Sequence, residues 1–569
     1  MDVSFPLILA VWVLISGLDD LFVYTVYFWR RARLNSVPGP DPSLPEKPIA
    51  IWVPLWKEDA VIERMLDHNR AAIRYGNHRF FVGVYPNDEA TQRAVRAAAS
   101  RHSNVHVCVC PRPGPTSKAD CLNSIHRHMR AEEDRTGMRF EVVLTHDAED
   151  LIHPDSLAWV SRLADDYGMI QTPVLALPTP AAEVTHGVYC DDFAQFHTVE
   201  LPVRGWLGGF IPSSGVGTAY RRDALDLLAS AHTGDVFEPG SLTEDYENGF
   251  RLQALGVKQL FAPVRFVDGR PLATREYFPR SLRAAFRQRT RWITGIAFQA
   301  WRAHGWGGRQ WYWFWRDRKG LIGNPLSLAS NLYLIAVLAG AESMTGIPGG
   351  LLAANGVLCL GQLAARGWCT ARVYGWGFAL SSPVRIPVAN LLNALAACAA
   401  AWRFGRAVVS GEALAWAKTD HCYPVTGALA YHSRRIGEIL ALQGVLRKGV
   451  LEEALSSKPV GRRAGEHLVS LKLATWDDVY AALSLQTGIP VARINARGIA
   501  RSVARTLPDD VARQGKLIPL AIGEGHVEVA TPEIPGDFAV SLLRAHIQLP
   551  VRYRLVTPEA YENLRNQLL

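Results

Sequence analysis

The chain has 569 residues, 49% of them hydrophobic, and its 61 Lys and Arg against 53 Asp and Glu leave a formal net charge of +8. At roughly 150 residues per domain this makes about three units rather than one core. The arginines are spread through helical stretches and the eight Cys include no C-x-x-C pair, which argues against a nucleic-acid polymer as partner, a zinc site or a disulfide framework, and for phosphorylated substrates, anionic lipid and a reducing cytoplasmic side.

Residues 5–29 are nearly free of charge, about the length of one membrane crossing, and end in Arg30-Arg31-Ala32-Arg33. No small-residue cleavage site follows, so residues 1–33 read as an uncleaved anchor, and the Arg cluster sets the next domain in the cytoplasm. Asp19 and Asp20 fall near the middle of this segment, where each is costly unless it faces other helices or the segment breaks. Residues 34–48, with five prolines, form a stiff linker.

From 49 to 285, short apolar runs (49–53, 79–85, 105–109, 140–145 and 168–176) alternate with helical stretches such as 59–74 and 89–101. That is the pattern of an α/β domain with a mostly parallel sheet. The run 140–145 stops on His146, Asp147, Glu149 and Asp150, at the strand end where ligands of open α/β sheets bind. Asp147 and Glu149, two apart, can reach one hard divalent cation that also holds a diphosphate; by itself such a triplet is more often a solvated acidic loop. The absence of G-x-G-x-x-G after the first strand disfavours a dinucleotide oxidoreductase. Residues 204–222 are dense in Gly and Ser, either to let backbone amides approach a ligand or as a flexible loop. Thr243 is the expected N-cap of a helix over 244–255, with Glu244 and Asp245 in its first turn.

Residues 280–315 are rich in Arg and Trp, which suits interfacial helices over 286–320. Within 321–410, the stretches 321–341 and 350–365 are apolar enough to cross a membrane and 386–404 is weaker. Two crossings, with 386–404 lying in the interface, leave both flanking domains cytoplasmic. A W-x-K-T-x-H motif, Trp416 to His421, lies in a linker over 411–432. Beyond it the chain repeats at an offset of 28: Arg435, Gly437, Leu440, Leu451 and Leu455 recur as Arg463, Gly465, Leu468, Val479 and Leu483. Each copy reads as two short helices joined by a turn.

Five motifs in order, Pro54-x-x-x-Glu58, Lys118-Ala119-x-x-Leu122-Asn123, Asp147-x-Glu149, Thr243-Glu244-Asp245 and Gln288-x-x-Arg291-Trp292, resemble those of glycosyltransferase family 2. The resemblance implies a GT-A-type nucleotide-diphospho-sugar transferase domain over 49–285, of α/β fold, followed by membrane helices. It implies that Pro54, Glu58, Asp88, Lys118 and Asp147 bind the nucleotide sugar, a UDP-sugar by family analogy, with Mg2+ or Mn2+ on Asp147 and Glu149. Asp245, beside Glu244, is then the general base of an inverting transfer, Gln288 and Arg291 steady the diphosphate, and Trp292 stacks an acceptor sugar. Residues 215–218 fall where such enzymes shape the acceptor side, and W-x-K-T-x-H resembles a segment that follows their membrane helices.

The C-terminal repeat resembles the tandem motif of the MshEN domain of secretion ATPases. This implies an α+β domain over 433–569 that binds cyclic di-GMP through Arg435, Gly437, Leu440, Gly444, Leu451 and Leu455 in the first copy and Arg463, Gly465, Leu468, Leu483 and Gln486 in the second. Lys458 stands where the first copy has Gln, and Ala464 and Lys472 where the second has Leu and Gly. The pairing of the two domains resembles the phage adsorption protein B type. It implies a multi-pass enzyme of the bacterial inner membrane that extends an exopolysaccharide under cyclic di-GMP control and passes it to an outer-membrane partner. The alternatives are a catalytically idle membrane receptor or scaffold, and a non-processive transferase acting on a lipid carrier.

Overall fold

A computed structural model describes residues 5–231, 234–267, 269–342, 344, 347–411, 435–459, 461–523 and 526–569. The W-x-K-T-x-H motif lies outside the described residues, as does almost all of the expected linker 411–432. The chain divides into two compact units, 1–63 with 74–423, and 424–569 with 64–73.

The first unit is built on strands β1 (Ile49–Pro54), β2 (His78–Val84), β3 (Val105–Val109), β4 (Val142–Thr145), β5 (Met169–Gln171), β6 (Val174–Ala176), β7 (Thr218–Arg221) and β8 (Gln259–Phe261). Seven of them form one sheet in the order β3-β2-β1-β4-β7-β5-β8. β1 lies between β2 and β4, parallel to both, with Ile51 opposite Phe80 on one side and Leu144 on the other. β1 and β4 are buried on both faces, which is why their sequences are near-continuous apolar runs rather than alternating ones. Helix Lys118–Thr136 packs on this half of the sheet, burying Leu122, Ile125 and Met129 with Trp52, Phe81 and Phe140. Each such side chain contributes roughly 1.5–3 kcal/mol. Because Trp52 pairs with Thr145, the segments following β1 and β4 leave the sheet at the same edge.

Two features differ from the sequence reading. The Gly- and Ser-dense stretch 204–222 ends in a strand: β7 runs antiparallel between β4 and β5, with Thr218, Ala219 and Tyr220 fully buried. The run 168–176 is two strands, since Pro173 between them has no N–H to donate. β5 stays in the large sheet, and β6 pairs instead with Thr274–Glu276.

Among the described residues, three helical stretches are long and apolar enough to cross a membrane: Phe5–Ser36, Gly308–Leu338 and Ser382–Ser410. Residues 386–404, expected along the interface, fall inside the last of these, a 29-residue helix that Pro387 near its start does not break. The stretch 350–365, expected to cross, lies in helix Gly349–Tyr374, which is not among these three. Asp19 and Asp20 do face other elements. Asp19 accepts from Arg316 at 2.6 Å and Lys319 at 2.7 Å, and Asp20 from Lys319 and Gln362, both at 2.9 Å. Deeper in the unit, Arg385 donates to both oxygens of Asp191 at 2.7 and 2.8 Å. Removing either partner of such a pair strands a buried charge at about 3–5 kcal/mol.

In the second unit the repeat is two helical hairpins, Ile436–Leu442 with Lys448–Ser456 and Ala464–Ser470 with Trp476–Thr487. A three-stranded sheet follows, Ile518–Gly523 antiparallel to His526–Thr531 and the latter parallel to Val551–Leu555, with helices between and after its strands. Leu440, Leu451, Leu468 and Val479 share one buried core.

Candidate functional site

The edge where β1 and β4 end opens on a cavity of about 140 Å³. Its wall brings together Pro54, Glu58, Lys118, Asp147, Glu149, Glu244, Asp245, Gln288, Arg291 and Trp292, residues that span most of the transferase-like sequence. Asp88 is placed elsewhere. Its carboxylate accepts from the Lys57 amide at 2.6 Å and caps helix Glu89–Arg101 through the Thr91 amide at 3.3 Å. It therefore holds the loop after β1, where Lys57 has a left-handed φ of 55°, and not the cavity.

Lys118 opens its helix behind the Ser117 cap, and its ammonium lies 2.7 and 2.9 Å from the Asp147 oxygens. Asn123, from the same motif, turns away and bonds Val236 and Phe237 through their backbone at 2.7 to 3.1 Å. It thus anchors the loop leading to Thr243-Glu244-Asp245. After β4, the buried Asp150 accepts from the Asp147 amide at 2.9 Å and bonds the His146 ring at 2.8 Å, which shapes the turn presenting Asp147.

Thr243 sits at the N-cap of helix Glu244–Ala254, but its side chain makes no capping hydrogen bond. It packs against Gly295, where any Cβ would collide with it, so its role is packing rather than capping. Gly215 crosses above the carboxylates with a φ of 77°, and a Cβ there would stand 2.5 Å from Asp245 Oδ2. This position needs glycine both for its backbone and for its proximity.

Six carboxylates, Glu58, Asp147, Glu149, Glu244, Asp245 and Glu276, line the cavity with two cations, Lys118 and Arg291. Burial and the neighbouring Asp245 push Glu244 up to about 7. Burial raises Asp245 as well, against the pull of Lys118 and Arg291. Burial opposes the charge on Lys118, yet Asp147, Glu244 and Asp245 hold its ammonium above the usual lysine range. Gln288 Oε1 and Arg291 Nε are buried with no hydrogen-bond partner among the described residues, the state of polar groups awaiting a ligand. Trp292 is braced edge-on by Tyr189, ring centroids 6.2 Å apart.

Among the described residues, no three His, Cys, Asp or Glu side chains are arranged to hold a metal by themselves. Two carboxylates on one wall nevertheless fit an ion such as Mg2+, which is commonly bound by one or two carboxylates together with substrate phosphates. Glu276 is a site residue that the sequence reading missed. Leu151 bridges antiparallel to Arg275, which sets Glu276 across from Asp150. Burial, then Asp150, Glu149 and Asp147, raise it well above the carboxylate range. Its only sequence signal is a short strand whose partner lies far away in the chain.

In the second unit a cavity of about 690 Å³ gathers Arg463, Gly465, Leu483 and Gln486 with the cations Arg513, Lys516 and Arg565 and the rings of Trp476, Tyr480 and Tyr561. Glu533 reaches Arg463 at 2.8 Å and Lys516 at 3.1 Å across it. Leu468 is not on this wall but in the core. Of the first copy's motif residues, Gly437, Leu440 and Leu451 are buried while Arg435, Gly444 and Leu455 are exposed, and none lines the cavity. A Cβ on Gly437 would meet Leu451 at 2.6 Å, and one on Gly465 would meet Val479 at 2.6 Å. In both copies the motif glycine therefore lets the two helices of a hairpin close on each other.

The profile described as "Glycosyltransferase like family 2" matches residues 45–295, and that of the "MshEN domain" matches residues 487–569. A mannosyltransferase from Pyrobaculum calidifontis, solved in complex with GDP-Man and Mn2+, is 20% identical with a TM-score of 0.42, covering 66% of this chain and 98% of that one. The bacteriophage adsorption protein B of Escherichia coli (strain K12) and the bacteriophage N4 adsorption protein B of Escherichia coli O157:H7 are each 33% identical over 96% of this chain and 79% of their own length. With a GT-A-type α/β domain, apolar helices and a C-terminal MshEN domain of mixed α and β structure, the chain belongs to the bacteriophage adsorption protein B family.

Proposed function

We propose that the protein is an inverting glycosyltransferase of the inner membrane that adds sugar from a nucleotide sugar, a UDP-sugar by family analogy, to a growing exopolysaccharide. The observation that carries this reading is the convergence of five sequence motifs on one small cavity with an excess of carboxylates and two unpartnered polar atoms. Asp245 takes the proton of the acceptor hydroxyl as that oxygen attacks the anomeric carbon, and the bond from that carbon to the diphosphate breaks. General-base help of this kind is worth roughly 10²–10⁴ in rate. Asp147 and Glu149 would hold Mg2+ or Mn2+, which when bound supplies charge neutralisation on the leaving diphosphate. Arg291, and Gln288 through its amide N–H, donate to the diphosphate from the far wall, and Trp292, braced by Tyr189, offers its face to an acceptor ring. Lys118 pairs with Asp147 and fixes its place, while Asp88 holds the loop after β1.

The MshEN domain makes cyclic di-GMP the proposed activator, held chiefly by the second copy, where four cations, three acids and three rings line one cavity. Guanidinium groups suit phosphate and the rings suit flat guanine bases. Activation requires that the ligand favour one state of the enzyme over another. The catalytic and cyclic di-GMP-binding domains are both assigned to the cytoplasm, which requires an even number of crossings between them. An outer-membrane export partner completes the proposed pathway.

The relatives' names favour a second reading, a membrane component for phage adsorption without catalysis. Retention of Asp147, Asp245 and the Gln288, Arg291 and Trp292 set argues for the enzyme. Incubating the purified full chain with a panel of labelled nucleotide sugars and divalent metal decides between them. A sugar-bearing product lost in Asp245→Asn, with donor binding retained, is the expected result. No turnover with any donor, in the presence or absence of cyclic di-GMP, would favour the scaffold.

A further inference from the structure

At the charged end of the N-terminal helix Phe5–Arg30 lies a cavity of about 590 Å³, separate from the catalytic one. Its wall includes Arg31, Arg265 and Arg372 together with Tyr27 and Trp368. Many other arginines of this unit have carboxylate partners, among them Arg204 on Asp317, Arg289 and Arg366 on Asp192, Arg316 on Asp19 and Arg385 on Asp191. The three in this cavity have none among the described residues. Arg265 donates to the Leu34 carbonyl at 3.0 Å and to that of Val37. Arg372 makes long hydrogen bonds, 3.5 Å to the Tyr27 hydroxyl and 3.5 Å to the Val264 carbonyl, and lies over the Trp368 ring, 5.7 Å from its centroid. Three guanidinium groups around one empty volume, uncompensated by acid, favour a bound anion.

The position of the cavity indicates where that anion comes from. Tyr27 and Arg31 lie at the end of one long apolar helix, and Trp368 and Arg372 lie near the end of a second long helix, Gly349–Tyr374, that packs against it. Trp29 and Phe28 beside them are exposed at 76% and 44%, as are aromatic residues at headgroup depth. Leu18 and Leu21 of the first helix and Leu360 of the second are also exposed, at 51%, 47% and 68%, so both helices offer apolar surface to acyl chains. We infer that this cavity binds the phosphate headgroup of an anionic membrane lipid, held by Arg31, Arg265 and Arg372 with Tyr27 and Trp368 against its glycerol end.

The test reconstitutes the full chain into nanodiscs of phosphatidylcholine with or without phosphatidylglycerol and counts lipid retained on release into a mass spectrometer. Wild type retains phosphatidylglycerol in preference to phosphatidylcholine, and Arg31→Gln with Arg372→Gln weakens that retention about tenfold or more. Arg33→Gln, an exposed arginine of the same turn that does not line the cavity, keeps it, which separates a site from general surface charge. Arg31→Lys with Arg372→Lys restores part of the retention and guards against a folding defect in the glutamine pair. Equal retention by the glutamine pair and wild type would overturn the site. Displacement of the lipid by soluble glycerol phosphate would overturn the membrane as its source.

Discussion

Gly215 is where one added methyl group reports on the proposed base. Alanine there must adopt a φ of 77°, and its Cβ would stand 2.5 Å from Asp245 Oδ2 and 3.3 Å from Lys118 Nζ, where ordinary contact begins at 3.4 Å. The backbone term alone is roughly 1–2 kcal/mol of stability. Relief of the overlap moves the Asp245 carboxylate by about 1 Å, and a misplacement of that size can lower catalysis about 10²-fold. Gly208 supplies the control: its φ is 75° and nothing lies within 4 Å of the added Cβ. Gly208→Ala thus carries the same backbone strain with no collision. The assay is release of nucleoside diphosphate from the cognate donor, alongside calorimetric donor binding and thermal unfolding. Both variants should lose similar stability and keep donor affinity, while Gly215→Ala alone loses about 10²-fold in kcat. Equal turnover by the two variants would refute the placement of Asp245 as the base.

The carboxylate pair predicts a pH profile. Glu244, raised to about 7, gains its proton as pH falls through neutrality, so the rate should fall with an apparent pKa near 7. Glu244→Gln should move that acidic limb to lower pH, and an unmoved limb in kcat against pH would remove the pair from the reaction. Lys472 occupies, at a φ of 57°, the position that Gly444 fills at 73° in the first copy. Lys472→Gly should therefore stabilise the second hairpin by about 1 kcal/mol, read as slower hydrogen exchange in Ala464–Ser470; faster exchange would count against the strain. Glu533 neutralises Arg463 and Lys516, so Glu533→Gln should tighten cyclic di-GMP binding to the full chain. Because the pair is partly exposed, the gain is about 1 kcal/mol at most. Unchanged or weaker binding by calorimetry would show that these two cations do not hold the ligand.

Much of the candidate site was legible because it is local. A buried strand that stops on Asp147-x-Glu149, a helix that opens on Lys118 and another that opens on Glu244-Asp245 are each readable within a dozen residues, since strand and helix periodicity set which groups stand at an element's end. The 28-residue repeat was legible for the same reason. A motif position does not reveal which hydrogen bonds a carboxylate makes, and those of Asp88 go to Lys57 and Thr91. Nor does the repeat's spacing reveal that its hairpins close on Gly437 and Gly465 through Leu451 and Val479.

Local pattern along the chain suffices for the α/β class, the order of the chemistry-bearing residues, and the presence of charges that no isolated apolar helix could carry. Packing of the whole fold sets β7 antiparallel in the sheet, brings Glu276 to face Asp150, and matches Asp19 with Arg316 almost 300 residues away. The physical reason is common to all three. Pairing partners distant in sequence are chosen by register and burial across the whole fold, where an uncompensated charge or an unpaired strand would be most costly, and neither quantity exists until the chain is packed.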